Sequence, residues 1–144
     1  MDNVFKIVRC SVPFLRVQMR DGLKPDKSII FTSMTDHSTV IYHLGEWAYP
    51  HEQGTGLLCF RNTEDLLAFV DVTAFLDYYI LECEVADEPM KLPQYRLDQL
   101  GGMQQPSVKD LWTFPYDERA WGWLPNWPIG TVAYPRMKPI KLVG

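Results

Sequence analysis

Two glutamates on one strand are the residues of this chain whose spacing could support chemistry. Glu82 and Glu84 flank Cys83 inside the segment Tyr78 to Val85 (YYILECEV), whose alternating side chains are typical of a β-strand. Such alternation places both carboxylates on one face of the strand, about 7 Å apart. One carboxylate could orient a substrate hydroxyl while the other stabilises a developing positive charge. The same spacing also fits two solvated glutamates on the exposed face of a strand.

The E-x-E element resembles that of the arginine-directed ADP-ribosyltransferases, which also carry an arginine on their first strand and a serine on a later one. Arg9 on the opening strand and Ser33 in the stretch FTS occur here in that order. The resemblance implies an enzyme that uses NAD, with the site residues Arg9, Ser33, Glu82 and Glu84. The spacing departs from that family, because the 24 residues from Arg9 to Ser33 are too few for the helices those enzymes place there.

The other reactive side chains follow no standard pattern of a metal, phosphate or nucleophile site. His43, His51 and Cys59 recur every eight residues, which matches no zinc-binding spacing. The stretch 54–56 (GTG) precedes a strand-like segment, whereas phosphate-binding glycines stand between a strand and a helix. No serine lies in a G-x-S-x-G elbow. Apart from the NAD that a transferase would require, we expect no cofactor and no metal.

The length and composition are those of a single globular domain over residues 1–144. Cys10, Cys59 and Cys83 are an odd number of cysteines in apolar surroundings, as the reduced, buried thiols of a cytoplasmic protein would be. The apolar runs are far shorter than the roughly 18 residues of a membrane-spanning helix, and the charged N-terminal segment lacks the features of a secretion signal. We therefore expect a cytoplasmic protein with no membrane partner.

Charge is distributed unevenly along the chain, whose net charge is −4. Residues 1–35 carry six basic and three acidic side chains, residues 36–118 carry four basic and fifteen acidic ones, and residues 119–144 carry four basic and no acidic ones. The two basic ends could together attract an anion if the terminal strands were neighbours. A nucleic-acid-binding protein would ordinarily be basic overall, so nucleic acid is not the expected partner.

Aromatic residues crowd the segment from Leu111 to Pro135 (LWTFPYDERAWGWLPNWPIGTVAYP). Four of the five tryptophans fall within sixteen residues, and the prolines between them exclude a regular helix. The segment is predicted to be a lid that completes the core over an open sheet face, a protein-recognition surface, or a platform that stacks on a base or sugar. A loop over 45–56 adds further aromatic side chains. The candidate binding residues are Trp47, Tyr49, His51, Tyr116, Arg119, Trp121, Trp123 and Trp127.

The order of elements predicts an α+β fold with a mostly antiparallel sheet, one main helix and an aromatic, proline-rich C-terminal lid segment. Acidic residues after Asn62 mark the start of the helix, which is predicted over 63–71 or, with an extension, as far as Leu76. β-Branched and aromatic runs predict strands over 4–12, 14–19, 28–33, 39–44, 57–60, 78–85 and 131–143.

The layout of these segments resembles that of small phage and bacterial proteins of unassigned function. The likeness lies in an opening FKIVR, then YHLGEW, a glycine-flanked LLCF, a helix ending in LLAFV, the strand ILECEV and a closing GTVAYPRMKPIKLV. It implies a small accessory protein and no particular activity. We therefore expect a protein that binds another protein through an aromatic and acidic surface, as a phage-encoded host-interaction factor would. The alternatives are the ADP-ribosyltransferase and a protein that sequesters a small ligand such as a nucleotide or sugar.

Overall fold

The computed structural model describes residues 3–36, 40–92, 112 and 127–144. Within these residues the chain forms seven strands and two helices, and all strand pairs are antiparallel. The strands are β1 (Val4–Cys10), β2 (Phe31–Ser33), β3 (Ile41–Tyr42), β4 (Leu57–Phe60), β5 (Tyr79–Glu84), β6 (Thr131–Tyr134) and β7 (Lys138–Leu142), and the helices are α1 (Leu15–Arg20) and α2 (Thr63–Thr73). The predicted α+β class with one main helix is therefore confirmed.

The sheet is built around β1 and curls until its two ends meet. β2 and then β3 lie on one side of β1, and β5 and then β7 lie on the other. Just after β3, the backbone N–H groups of Gly45 and Ala48 donate to the carbonyls of Pro139 and Met137, at 2.7 Å each. These bonds join the loop after β3 to the start of β7 and the residue before it, so the sheet closes on itself and is termed the barrel below. The junction of residues 45–49 with residues 136–139 is termed the barrel seam below.

Alternation along β1 directs its side chains into two different cores. Val4 and Val8 point into the barrel, where the main core also contains Leu81 of β5. Ile7 points to the outside of the sheet and packs against Leu66 of α2. One face of β1 therefore fills the barrel, and the other anchors the main helix.

β4 is buried at all four positions, as its uniformly apolar sequence predicts. Leu57 and Cys59 face the barrel core, whereas Leu58 lies under Trp112 and Phe60 lies under α2 on the outer face. β6 pairs along the whole of β4. A strand covered on both faces needs no polar position, which explains its lack of alternation.

The main helix α2 begins where the sequence predicts. The Asn62 side chain accepts a hydrogen bond from the backbone N–H of Asp65 at 2.8 Å and so caps the first turn. The helix ends at Thr73, and Ala74 follows in a left-handed backbone conformation with φ 54°. In the part of the chain that the structure describes, no helix has the length and apolar character needed to cross a membrane.

The strand predicted over 14–19 is wrong, because this segment forms α1. Phe14 adopts a left-handed backbone conformation with φ 57°, which turns the chain out of β1 and into the helix. Leu15 is fully buried and Met19 partly buried; they lie four residues apart, on one helical face, and pack against the barrel core. A helix of six residues contains too few turns for its periodicity to be distinguished from strand alternation.

Candidate functional site

The barrel seam places aromatic side chains opposite basic ones on the outer surface. Ala48 and Met137 pair across the seam, and both are buried in the main core. Since side chains alternate along paired strands, the residues that flank this pair point outward. Those outward neighbours across the seam are Trp47 with Lys138 and Tyr49 with Arg136.

Arg136 is the centre of this arrangement. Its guanidinium carbon lies 4.5 Å from the centre of the Trp47 ring, within the range of a cation–π contact. Its Nε donates to the Asp87 carboxylate at 3.0 Å. This hydrogen bond first, and the interaction with the Tyr49 side chain second, raise the pKa of Arg136 above its ordinary value. These four residues together with Lys138 are termed the seam surface.

Lys138 completes the seam surface and also lies near the tryptophan. Its ammonium nitrogen lies 5.5 Å from the centre of the Trp47 ring and 3.4 Å from the Glu84 carboxylate. The Glu84 side chain is 47% exposed and that of Arg136 is 36% exposed, so water screens both ion pairs. Such pairs contribute no more than about 1 kcal/mol each to stability. The two ion pairs therefore contribute little to the stability of the fold.

A cavity of about 290 Å³ adjoins the seam surface and shares Asp87 with it. Its lining also includes the side chains of Arg61 and Glu88, which are exposed, and that of Tyr134, which is half-buried. The volume lies near the lower limit of the roughly 300–1,000 Å³ typical of small-ligand pockets. It is also large enough to accept one long side chain of a protein partner.

Two of the predicted binding residues form the seam surface, and two others in the described part of the chain do not. Trp47 and Tyr49 belong to it. His51 is exposed farther along the same loop, and Trp127 is partly buried against the core cluster that contains Ala133. The remaining predicted binding residues lie outside the described residues: Tyr116, Arg119, Trp121 and Trp123.

Two tryptophans of the aromatic segment, Trp112 and Trp127, pack on the outer face of β4 and β6. Trp112 is only 8% exposed and belongs to the cluster formed by Leu58. Gly56 permits this approach, because a Cβ at Gly56 would lie 3.1 Å from Cη2 of Trp112 and 2.8 Å from Sδ of Met90. At Trp112 and Trp127 the aromatic segment covers core residues, as the lid interpretation expects.

The two glutamates singled out by spacing lie on the outer face of β5, and each has a partner. Glu82 accepts a hydrogen bond from the side-chain amide of Asn3 at 3.3 Å. Glu84 forms the ion pair with Lys138 and so borders the seam surface. The carboxylates therefore serve as a hydrogen-bond acceptor and an ion-pair partner in this structure.

The structure does not bring Arg9 and Ser33, which the transferase resemblance implies, to these carboxylates. Arg9 is exposed and lies four residues along β1 from Phe5, the partner of Glu82, so roughly 13 Å of strand separates the two positions. Ser33 pairs with Val8 and therefore points to the opposite face of the sheet from Arg9. The four residues do not form one cluster.

A second group of chemically capable side chains lies inside the barrel. Lys6 donates to the Thr35 hydroxyl at 3.0 Å, to the Asp36 carboxylate and to the Leu58 carbonyl. The Asp36 carboxylate also accepts from the Tyr42 hydroxyl at 2.6 Å and from the Leu58 N–H at 2.9 Å. Burial, and next the Asp36 charge, raise the pKa of Tyr42 well above its ordinary value. Because the side chains of Lys6 and Asp36 are 0% and 2% exposed, a substrate has no access to this network.

The thiols likewise offer no nucleophile inside the barrel. Cys59 and Cys83 are buried, and burial raises the pKa of Cys59 to about 12 and that of Cys83 still further. A reactive cysteine needs the opposite shift, toward the thiolate. Among the described residues no three His, Cys, Asp or Glu side chains are grouped so as to hold a metal ion.

Sequence reasoning did not identify Arg136, Lys138 or Asp87 as site residues. A signal for the first two exists, since Arg-Met-Lys places one apolar residue between two cations near the start of a strand. That signal does not show which aromatic residues lie across the seam. No protein-family model, curated protein or solved structure matches the chain. The chemistry of the seam surface itself is therefore the basis for a proposed function.

Proposed function

We propose that this is a binding protein that recognises another protein through the seam surface. The observation that carries the proposal is the contact of Arg136 with the Trp47 ring, with Arg136 bound to Asp87 and Tyr49 58% exposed beside it. Tryptophan, tyrosine and arginine dominate the binding energy of protein interfaces, and one of each meets here. Because contacts within the protein already fix the arginine, less side-chain entropy is lost on binding.

The charges around the seam surface favour a partner with basic side chains. Both cations of the seam surface are paired with carboxylates, and the single cation in the described lining of the cavity, Arg61, is outnumbered by three acidic residues nearby. Glu46 and Glu52 of the loop over 45–56, and Glu88 of the cavity, are exposed and form no ion pair within the described part of the chain. A lysine or arginine of the partner would enter the cavity and meet the Glu88 carboxylate there.

The proposed setting is the cytoplasm, with a host-cell protein as the partner. Buried thiols at Cys59 and Cys83 are consistent with a reducing compartment. The resemblance to small phage and bacterial proteins favours an accessory role that depends on binding alone.

Affinity capture from a bacterial lysate, followed by titration of the purified partner, tests this proposal. We expect Trp47→Ala to weaken binding at least about tenfold, since truncation removes the ring that supports Arg136. Tyr49→Ala should also weaken binding, with an unchanged melting temperature because Tyr49 is 58% exposed. Val72→Ala is the matched control: Val72 is 85% exposed on α2, and its truncation should change neither affinity nor stability.

Two outcomes would reject the seam surface as the site. The first is that Trp47→Ala and Tyr49→Ala both keep wild-type affinity for the captured partner. The second is that only Trp121→Ala or Trp123→Ala lowers the affinity, which would assign recognition to the aromatic segment.

The cavity supports a second candidate function, sequestration of a small ligand such as a nucleotide or sugar. Arg61 offers a guanidinium to an anionic group, and Tyr134 offers a ring and a hydroxyl. Thermal melting in the presence of nucleotides and sugars separates this candidate from the first. A ligand that raises the melting temperature of wild type but not of Arg61→Ala would favour sequestration over protein recognition.

A further inference from the structure

We infer that the protein carries a second docking surface, on the outward side of α1, that binds an acidic protein segment bearing apolar side chains. This surface is separate from the seam surface and does not depend on the function proposed for it. It is termed the α1 surface and consists of Phe14, Val17 and Leu23 with the surrounding cations Arg16, Arg20 and Lys24.

Apolar side chains of the α1 surface stand in solvent, where folding gains little from them. Phe14 is 79% exposed, and Val17, one turn along the chain, is 46% exposed. Leu23 is 40% exposed, and its N–H donates to the carbonyl of Gln18 at 2.9 Å, which holds it beside the helix. Phe14 also occupies the left-handed backbone region, which is unfavourable for an aromatic residue. The fold therefore presents this ring outward at a cost.

The charge of this region is opposite to that of the molecule as a whole. Residues 9–27 carry five basic and two acidic side chains, in a chain of net charge −4. Arg20 and Lys24 are exposed and form no ion pair with any carboxylate in the described part of the chain. Arg16 donates to backbone oxygens of Tyr78 and Gly144 and lies over the Tyr79 ring, so the unpaired positive charge of this surface comes from Arg20 and Lys24. The α1 surface thus combines uncompensated positive charge with exposed apolar groups.

This combination favours an acidic protein segment over a nucleic acid or a membrane. Phosphate backbones would use the cations but leave the exposed Phe14, Val17 and Leu23 without partners. A membrane anchor ordinarily needs a larger apolar face than a helix of six residues can present. A protein segment with alternating acidic and apolar side chains would pair with the cations and cover the exposed apolar side chains of the α1 surface.

The α1 surface and the seam surface lie toward opposite ends of β1. Arg16 stacks on Tyr79, which pairs with Val8, whereas Glu84 and Asp87 lie beyond Cys83, which pairs with Val4. Four residues of strand, or roughly 13 Å, separate the two pairs. Two partners could therefore occupy the two surfaces independently.

Fluorescence anisotropy with a labelled peptide of alternating glutamate and leucine or phenylalanine tests the inference. We expect the full chain to bind this peptide and to bind a peptide with lysine in place of glutamate at least about tenfold more weakly. Phe14→Ala and Arg20→Glu should each weaken binding of the acidic peptide about tenfold. Neither should lower the melting temperature, because both side chains are exposed.

Matched controls separate the α1 surface from general charge and hydrophobicity. Lys141→Glu makes the same charge change as Arg20→Glu at an exposed position on β7, and Val72→Ala removes an exposed apolar side chain from α2. Both variants should bind the acidic peptide as wild type does. Trp47→Ala should also bind the acidic peptide as wild type does. Rejection of the seam surface as a binding site and rejection of the α1 surface would therefore be distinguishable.

Three results would overturn the inference. One is that the acidic peptide does not bind, or that Lys141→Glu weakens it as much as Arg20→Glu. Another is that a single-stranded DNA oligonucleotide or phosphatidylserine vesicles bind more tightly than the peptide and lose binding in Phe14→Ala. The third is self-association in sedimentation that Phe14→Ala abolishes, which would make a second copy of the chain the occupant.

Discussion

Lys6 projects from β1 into the barrel core, at a position where a strand residue is ordinarily apolar. Its partners come from different elements, since Asp36 follows β2 and Leu58 belongs to β4. β1 and β4 pair at one position only, Phe5 with Phe60. Next to that position, Asp36 accepts from the Leu58 N–H and Lys6 donates to the Leu58 carbonyl. Two side chains thus replace the backbone hydrogen bonds that the ladder lacks.

Replacing Lys6 should be among the most destabilising single changes in this protein. Lys6→Met leaves the Asp36 carboxylate buried without its counter-ion, which we expect to lower the free energy of unfolding by about 3–5 kcal/mol. Urea denaturation followed by circular dichroism measures the change. Lys138→Met is the control, because it breaks the solvated pair with Glu84 and should cost less than about 1 kcal/mol.

A double-mutant cycle tests whether Lys6 acts through Asp36. Asp36→Asn should lower the free energy of unfolding when it is made alone. It should cost less in the Lys6→Met background, because there it removes a buried carboxylate that has already lost its counter-ion. Equal costs for Lys6→Met and Lys138→Met, or strictly additive effects of the Lys6 and Asp36 substitutions, would contradict the structural role assigned to the pair.

The opening strand shows what a sequence can and cannot predict for a single residue. The existence of β1 is evident from VFKIVRC, but alternation with Phe5 and Ile7 would assign Lys6 to a polar outer face. In the structure Val4, Lys6 and Val8 all point inward, because a carboxylate 30 residues away in the chain compensates the charge. Sequence periodicity contains no information about that distant partner.

Gly130 joins two elements that are far apart in sequence. It has φ +84° in the turn before β6, and its carbonyl accepts from the Arg61 N–H at 2.9 Å, just before α2. A Cβ at Gly130 would lie 2.7 Å from the Cβ and 2.3 Å from the Oδ2 of Asp65 in the first turn of α2. The glycine is therefore required both for its backbone conformation and for the close approach of the helix.

Gly54 provides a matched control for a prediction at this turn. It has nearly the same φ, +83°, but a Cβ there would meet no atom within 4 Å. Gly54→Ala should cost about 1–2 kcal/mol of unfolding free energy from backbone strain alone. Gly130→Ala should cost about 1–3 kcal/mol more, because Asp65 and the helix must also move. Indistinguishable urea midpoints for the two variants would refute a steric role for Gly130.

At the scale of elements, local chemistry explains which predictions are confirmed. Asn62 caps α2 through contacts within one turn, and β4 and β5 have patterns complete within eight residues. The pairing of β7 with β5 and the hydrogen bonds of the seam join residues far apart in the chain. The sequence therefore predicts Trp47 and Tyr49 as aromatic loop residues but not the cations that meet them.

For the whole molecule, alkaline pH should be the destabilising direction. Cys59, Cys83 and Tyr42 share the barrel core, and burial raises the pKa of all three. Above the ordinary thiol pKa near 9, the unfolded chain loses protons that the folded chain retains. The contribution of Cys59 to the free energy of unfolding is thus fully present below pH 9. It falls by about 1.4 kcal/mol per pH unit as the pH rises toward 12.

Urea unfolding between about pH 8 and about pH 11 measures this loss. The slope of unfolding free energy against pH should be shallower in Cys59→Ala by about the contribution of one thiol. Leu57→Val is the control, because it shortens a buried side chain of the same strand that does not titrate and should leave the slope unchanged. Parallel slopes for wild type and Cys59→Ala would show that the buried thiol does not titrate on unfolding.

The barrel seam also has a consequence for the order of events during synthesis. Tyr49 and Arg136 are 87 positions apart, so the seam surface cannot exist on a nascent chain until residues 136–138 have left the ribosome. Contacts of such long sequence separation are slow to form, because the intervening chain must first be ordered. A ligand of the seam surface would consequently distinguish finished molecules from incomplete or misfolded ones. Binding of such a ligand would therefore report that β7 has paired and that the seam has closed.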